Sequence, residues 1–553
     1  MEILKNKTRL PETALSFFLL LALVAVIRPI PADGDDEVMA GFQRDDFVKI
    51  AEAGIDDPMN NYAWSMTELD GDIYVGTARN FLYMVLQALK ELGILPEGYE
   101  YSHITHSEGE MWSLEQAEDN CGEIWRYRGG LWERVYRSVP VDVSDLPGVP
   151  EGAMAAKEPG FRYMITYTDK WGERAVYAAS GTSIVPGRLL LKSANGTDWD
   201  ELDTPSEIFG SDSRSMAVHN EKLYIGPAGF GPSATVWATD DPAGARGADN
   251  WQMVGDFTDE GPGTNVAVVS MISFNGYLYA GTQNDEAGFQ VWRSDARSPE
   301  APQFGAWTKI IDHGAGDMAS TRALTMTIFK ENLYVGTSMF PLYPESPWIL
   351  LPKGFELLRI GTDDTWELLI GDRIARKRPE GCSIIREPMS EYRGGFGNVF
   401  NIYCWAMQAF DGVLYLGTFD MNSVLYYLLS GADPDDSMIG TDLWKTEDGI
   451  HWEPITLNGF DNPGNYGVRA MLATDSLFLG TANPFGGLDV LQAPRPRFSD
   501  SDQFSDPDSS CGACVTYGPS TDPDVIQLVL TGLLYILPWM GFLYTQRRRL
   551  RGL

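Results

Sequence analysis

Met271-Ile272-Ser273-Phe274-Asn275-Gly276-Tyr277-Leu278-Tyr279-Ala280-Gly281-Thr282 decides how this chain is read. Two apolar runs flank Asn-Gly, a dipeptide that turns one strand back onto the next. The stretch recurs. Met66 precedes Ile73-Tyr74-Val75-Gly76-Thr77, and Met216 precedes Leu223-Tyr224-Ile225-Gly226. Met326 precedes Leu333 to Thr337, Met407 precedes Leu414 to Thr418, and Met471 precedes Leu477-Phe478-Leu479-Gly480-Thr481. A looser copy runs from Met164 to Val176-Tyr177-Ala178-Ala179-Ser180, which makes seven copies.

A second strand pair follows each copy. Its first strand reads Ile124-Trp125-Arg126, Val291-Trp292-Arg293 or Leu443-Trp444-Lys445, and its second starts at Trp132, Trp199, Trp251, Trp307, Trp366 or Trp452. Four antiparallel strands repeating about every 55 residues make a β-propeller blade. The copy at Met471 lacks a Trp strand, and Phe47-Val48-Lys49-Ile50 before Gly54 matches Trp307-Thr308-Lys309-Ile310 before Gly314. The expected fold is therefore all-β: a seven-bladed β-propeller over residues 42–495, closed by an N-terminal strand that leaves no unpaired sheet edge. Six or eight blades with one repeat misassigned is the rival reading.

Two turns carry a further signature. Ser193-Ala194-Asn195-Gly196-Thr197-Asp198-Trp199 and Thr446-Glu447-Asp448-Gly449-Ile450-His451-Trp452 share Ser/Thr, then Asn/Asp, Gly and Trp. They resemble the Asp-box turns of sialidase-type propellers, one residue short of the usual spacing. The amide or carboxylate is expected to cap the turn's own N–H groups, with Gly at positive φ. Such turns are scaffold and imply no activity.

The ends of the chain are membrane-like. Lys5, Lys7 and Arg9 precede an apolar run from Ala14 to Ile27, so residues 1–32 read as a signal peptide, with an uncleaved anchor as the alternative. Residues 496–524 form an acidic linker containing Cys511 and Cys514. Residues 525–544 are apolar enough to span a bilayer as one C-terminal transmembrane helix. Arg547, Arg548, Arg549 and Arg551, within the basic tail 545–553, belong on the cytoplasmic side. The order of linker, Cys motif, apolar helix and Arg tail resembles the C-terminal sorting signals of prokaryotic surface proteins, in which the segment is cut or lipid-modified. An ordinary anchor is the alternative. Either way the body is expected outside the cytoplasm, at the cell membrane or surface.

The chain holds 42 Lys and Arg against 77 Asp and Glu, a net charge of −35, which disfavours nucleic acid and anionic lipid as partners. Among Cys121, Cys382 and Cys404 one disulfide is open to formation, with Cys382–Cys404 favoured. His103 and His106 with Glu108 and Glu110 have no recognised metal spacing, and no metal site is expected. No catalytic triad, phosphate loop or dinucleotide fingerprint stands out, and no cofactor is assigned.

Long insertions at 80–120, 136–160, 338–354, 372–404 and 420–440 fall on one type of connection, which places them on one face of a propeller with the channel mouth. Residues Phe81 to Leu95 have helical apolar spacing and are expected to lie across that face. Two residues before each recurring Met stand Trp64, Arg162, Arg214, Val269, Leu324, Trp405 and Arg469. These positions should converge near the channel. There Arg162, Arg214 and Arg469 would clamp a carboxylate or sulfate, and Trp64 and Trp405 would stack a sugar ring. The alternative is that they fill gaps between blades. Sialidases combine an arginine triad with a Tyr–Glu pair and an Asp, and Tyr403, Glu391 and Asp212 fit those roles by type. Such enzymes have six blades, and the Arg-Ile-Pro motif is absent from this body, so no catalysis is assigned. Three functions stay open: a tethered propeller binding a glycan or protein, a glycan-active enzyme such as a hydrolase or lyase, and an architectural envelope protein.

Overall fold

The computed structural model describes residues 39–91, 104–107, 109–146, 148–181, 190–205, 212–228, 233–245, 247–261, 263–295, 306–339, 353–379, 386–430 and 439–495. The signal peptide, linker, transmembrane segment and tail read from the sequence lie outside these residues, as do His103, Glu108, Cys382, Cys511 and Cys514. Among the described residues no helix is long and apolar enough to cross a membrane.

The body is all-β and propeller-like. Each repeat forms a four-stranded antiparallel meander. In the first, Asn60–Leu69 pairs with Asp72–Arg79, which pairs with Glu123–Arg128, which pairs with Leu131–Arg137. The next meanders start at Phe161–Thr168, Asp212–His219, Ala267–Phe274, Ser320–Phe329, Asn401–Phe410 and Gly467–Ala473. In the last of them the fourth strand is Val48–Ala51, which lies antiparallel to Val490–Pro494 with Lys49 opposite Leu491. Trp307 and Trp366 open their outer strands, while Trp199, Trp251 and Trp452 sit one residue before theirs.

The conserved letters of the repeat are contacts between sheets. The second strand of each meander is covered on both faces, and Tyr74, Tyr224, Tyr279, Tyr334 and Tyr415 are buried. A β-carbon on Gly480 would lie 2.4 Å from Ala63 Cβ and 2.5 Å from Met66 Cε. One on Gly281 would lie 2.7 Å from Ala323 and 2.9 Å from Met326 Cε, and one on Gly417 2.5 Å from Val468 and 3.0 Å from Met471 Cε. The Met of one sheet thus covers the Gly of the sheet before it, at a spacing that admits no side chain. The Thr after that Gly ties three strands together. Thr77, Thr282 and Thr481 donate to Asn60, Asn265 and Asn465 at 3.0, 3.0 and 2.9 Å. Those amides donate to Glu123, Gln290 and Asp489 at 3.0, 2.8 and 2.9 Å. Buried polar groups satisfied in this way lock the strand ends from which the insertions leave.

The turns at 193–199 and 446–452 are held as their side chains dictate. Asn195 Oδ1 accepts from the N–H groups of Thr197 and Asp198 at 2.9 and 2.8 Å, and Asp448 Oδ1 from those of Ile450 and His451, each at 2.8 Å. Gly196 and Gly449 have φ of 74° and 81°.

Among the described residues three α-helices sit in the insertions: α1 (Phe81–Glu91), α2 (Leu114–Asp119) and α3 (Met421–Ser430). α1 was expected from the spacing of Phe81 to Leu95, of which residues 92–95 lie outside the described residues. Phe81 brings it onto Tyr62 and Trp64, with ring centroids 5.4 Å away in both cases. Val424 of α3 joins the same cluster with Phe419 and Tyr466. The two helices therefore cover the inner strands of the meanders beginning at Asn60 and Asn401.

Candidate functional site

In every repeat the pairing of the first two strands slips by one residue opposite the Gly-Thr step or its equivalent. Ala63 pairs with Thr77 and Ser65 with Gly76, which leaves Trp64 without a partner. The same slip leaves out Arg162, Arg214, Val269, Leu324, Trp405 and Arg469. Each residue two before the recurring Met is thus the extra residue of a β-bulge. A bulge breaks the in–out alternation of a strand and re-aims one side chain.

The bulges bring the charged residues together. Asp212 accepts from Arg162 Nη1 and, at 3.1 Å, from Arg214 Nε. The Arg162 guanidinium lies 4.6 Å over the Trp64 ring, and that of Arg469 5.6 Å over Trp405. Arg469 has no ion pair or hydrogen bond among the described residues. Arg162 and Arg214 are 12% and 20% exposed, deep in the fold yet touched by solvent. Burial, reinforced by the neighbouring guanidinium of Arg162, holds Arg214 down to about 10. Burial and the charge of Arg214 hold Arg469 down to about 10. Burial lowers Arg162 as well, against the pull of Asp212. Burial is the largest cause in all three, and like-charge neighbours add to it.

The tryptophans are placed differently from the sugar-stacking expectation. Trp64 is 2% exposed and enclosed by Arg162, Tyr62 and Phe81, so it supports Arg162 and offers no open face. Trp405 lies between Arg469 and Tyr466, whose ring is stacked 5.8 Å away. The same device holds both. A β-carbon on Gly160 would come 2.8 Å from Trp64 Cε3, and one on Gly467 2.1 Å from Trp405 Cζ3. Trp64 with Gly160 and Arg162 thus repeats as Trp405 with Gly467 and Arg469.

Other groups join that the two-before-Met rule passes over. Two residues ahead of the bulge stand Tyr62, Asp212, Arg322 and Tyr403. Arg322 Nη1 donates to the Tyr403 hydroxyl at 3.4 Å, with its guanidinium 5.9 Å over that ring. The hydroxyl of Tyr466 donates to that of Tyr62, and burial raises both phenols, so both stay protonated. Counting one further step back along each inner strand would have found Tyr62 and Arg322. Tyr466, just before its strand, has no periodic signal.

Val269 is buried with Ala228 and Ala267, an aliphatic filler between sheets, and Leu324 is partly buried. Glu391 is exposed among loop residues 371–376 and 388–393, and no contact joins it to Tyr403. His106 bonds through Nδ1 to the Ile104 carbonyl at 2.7 Å and packs on Tyr83. Among the described residues no cluster of His, Cys, Asp and Glu is arranged for a metal. Cys121 and Cys404 are buried and free, and Cys382, the other half of the favoured pairing, lies outside the described residues. Cys404 packs where a β-carbon on Gly336 would lie 2.4 Å from its sulfur, which is an inter-sheet contact.

No family model matches this chain, and no curated protein matches it in sequence. Solved structures are similar at low identity. The extracellular domain of a hybrid two-component system from B. thetaiotaomicron matches at 10% identity over 78% of this chain, with a TM-score of 0.37; the chain spans 40% of that protein's length. The α-L-arabinofuranosidase Arb93A from Fusarium graminearum matches at 10% identity over 82% of this chain and 98% of its own, with a TM-score of 0.31. A puromycin hydrolase matches at 9% identity over 82% of this chain and 57% of its own, with a TM-score of 0.42. At these scores the likenesses carry no argument about chemistry, which rests on the residues themselves.

Proposed function

We propose that the protein is an extracytoplasmic, membrane-tethered propeller of seven blades, closed by the strand Val48–Ala51, that binds an acidic glycan or protein ligand at its channel mouth. The tether in this reading is the apolar segment 525–544, and the insertions around α1 and α3 form the face the ligand meets. The observation that carries it is the set of bulges. Arg162 and Arg214 donate to one carboxylate at these bulges, and Arg469 stands at another bulge, in a chain whose net charge is −35. Arginines are scarce relative to acids in this sequence, yet Arg469 is left with no acidic partner among the described residues. An unpaired guanidinium in a partly buried site is costly until an anion meets it.

Asp212 is committed to two arginines and is poorly placed to move a proton, and Glu391 lies apart. The binding reading therefore stands ahead of the glycan-active enzyme. Screening the full chain in detergent against arrays of acidic and neutral glycans tests it. Binding confined to acidic members and lost in Arg214→Gln is the expected result. Turnover of a glycan that Arg214→Gln abolishes would replace binding by catalysis, and capture of no glycan would leave a protein ligand.

A further inference from the structure

Arg162 and Arg214 share a single carboxylate, Asp212, and Arg469 beside them has no ion pair or hydrogen bond among the described residues. Their charges sum to an excess of two, leaving Arg322 out because it has contacts of its own. The hydrogen-bonding inventory is lopsided in the same direction. Asp212 Oδ2 already accepts from Arg162 and Arg214, while Oδ1 is buried near Gly181. Both Nη groups of Arg214 have no acceptor among the described residues, and neither does any guanidinium nitrogen of Arg469. The Tyr62–Tyr466 pair holds two hydroxyl protons, of which their shared bond uses one. Donors are in surplus, and the acceptor that remains, Asp212 Oδ1, is buried without a hydrogen-bond partner among the described residues. The aromatic faces are spent, since Arg162 covers Trp64 and Arg469 lies over Trp405. The site is therefore built to grip a charged group and offers little to a sugar ring.

We infer that the channel site selects a doubly charged oxyanion headgroup, of the phosphate or sulfate dianion type, over a singly charged carboxylate. This rests on the channel reading above and specifies its ligand. A dianion cancels the excess charge and presents three or more acceptor oxygens to the guanidinium edges. A single carboxylate leaves one positive charge uncompensated and presents two oxygens.

The test titrates the full chain in detergent with sodium sulfate and, separately, sodium formate, at pH 7 and constant ionic strength. Heat of binding and thermal midpoint are both recorded. Sulfate also stabilises proteins by exclusion from their surfaces, so only the part absent from Arg214→Gln and Arg469→Gln counts. The expected result is saturable sulfate binding at least about tenfold tighter than formate, weakened about tenfold or more in each variant. Arg469→Lys, which keeps the charge but not the fork, should retain only part of the affinity. Arg174→Gln, at an exposed hairpin away from the channel, should change nothing. Formate binding as tight as sulfate, with the same arginine dependence, overturns the dianion preference and leaves the channel reading standing. Binding of either anion that survives both Gln variants, or no binding at all, overturns both.

Discussion

Lys353, Arg386, Asp317 and Glu356 meet beside the strand Ser320–Phe329, while Arg162, Arg214, Arg469 and Asp212 meet among the bulges. In the first group Lys353 Nζ lies 2.9 Å from both Asp317 and Glu356 and 2.8 Å from Ser320 Oγ. Arg386 reaches Asp317 at 3.3 Å and Glu356 at 2.6 Å. All four side chains are 0–3% exposed, and two positive charges meet two negative ones. Burial alone would push Asp317 up, but Lys353 overrides it and holds the carboxyl down to about 2. The second group is partly solvated, carries three charges against one, and has its arginines pushed down rather than up. A closed, neutral cluster whose charges are all paired is finished within the chain and pins the insertion loops to the sheet. An open, unbalanced one is, in the proposed reading, completed by a bound anion. Charge balance, more than burial, separates the structural cluster from the candidate site.

The sharpest way to break that contrast is to remove one charge from each group. Lys353→Met leaves Asp317 and Glu356 short of a buried counter-charge and should destabilise the fold by about 3–5 kcal/mol in urea unfolding. Arg469→Gln removes a charge that has no ion pair or hydrogen bond among the described residues and should change stability by no more than about 0.5 kcal/mol. Equal losses in the two would erase the distinction.

Acid should act on the first group. The depressed carboxyl of Asp317 contributes stability that is complete above the unfolded pKa near 4 and is lost as pH falls through about 2. The loss should be roughly 2 kcal/mol, and Asp317→Asn should flatten that part of the stability profile. A profile unchanged by the substitution would remove Asp317 as its source.

Gly467→Ala sharpens the other side. The added carbon would collide with Trp405, which supports Arg469. Overpacking of this kind should cost about 1–2 kcal/mol and, more tellingly, displace Arg469 and weaken sulfate binding. Unaltered binding with the same loss of stability would separate Trp405 from the site.

Much of the architecture was legible in the residues. Met, Asn-Gly and Gly-Thr mark strands and turns because propensity and alternation are local properties. The helix at Phe81 was legible for the same reason. Position two before Met singled out the bulge residues without revealing that they were bulges, because a bulge is defined by pairing between strands. Arg322 and Tyr62 escaped because only the larger pattern was counted. The Lys353 cluster escaped entirely, since its members come from separate segments with no shared period.

By itself the sequence determined a repeating all-β body, the strand pairs within each repeat and the residue in each copy that differs between Arg, Trp and aliphatic. These follow from periodicity and turn chemistry, which act over a few residues. Only the tertiary structure decided that Trp64 is an enclosed support, that Asp212 serves two arginines and that Arg469 serves none. Those outcomes depend on distances between different sheets, and electrostatic pairing is settled through space rather than along the chain.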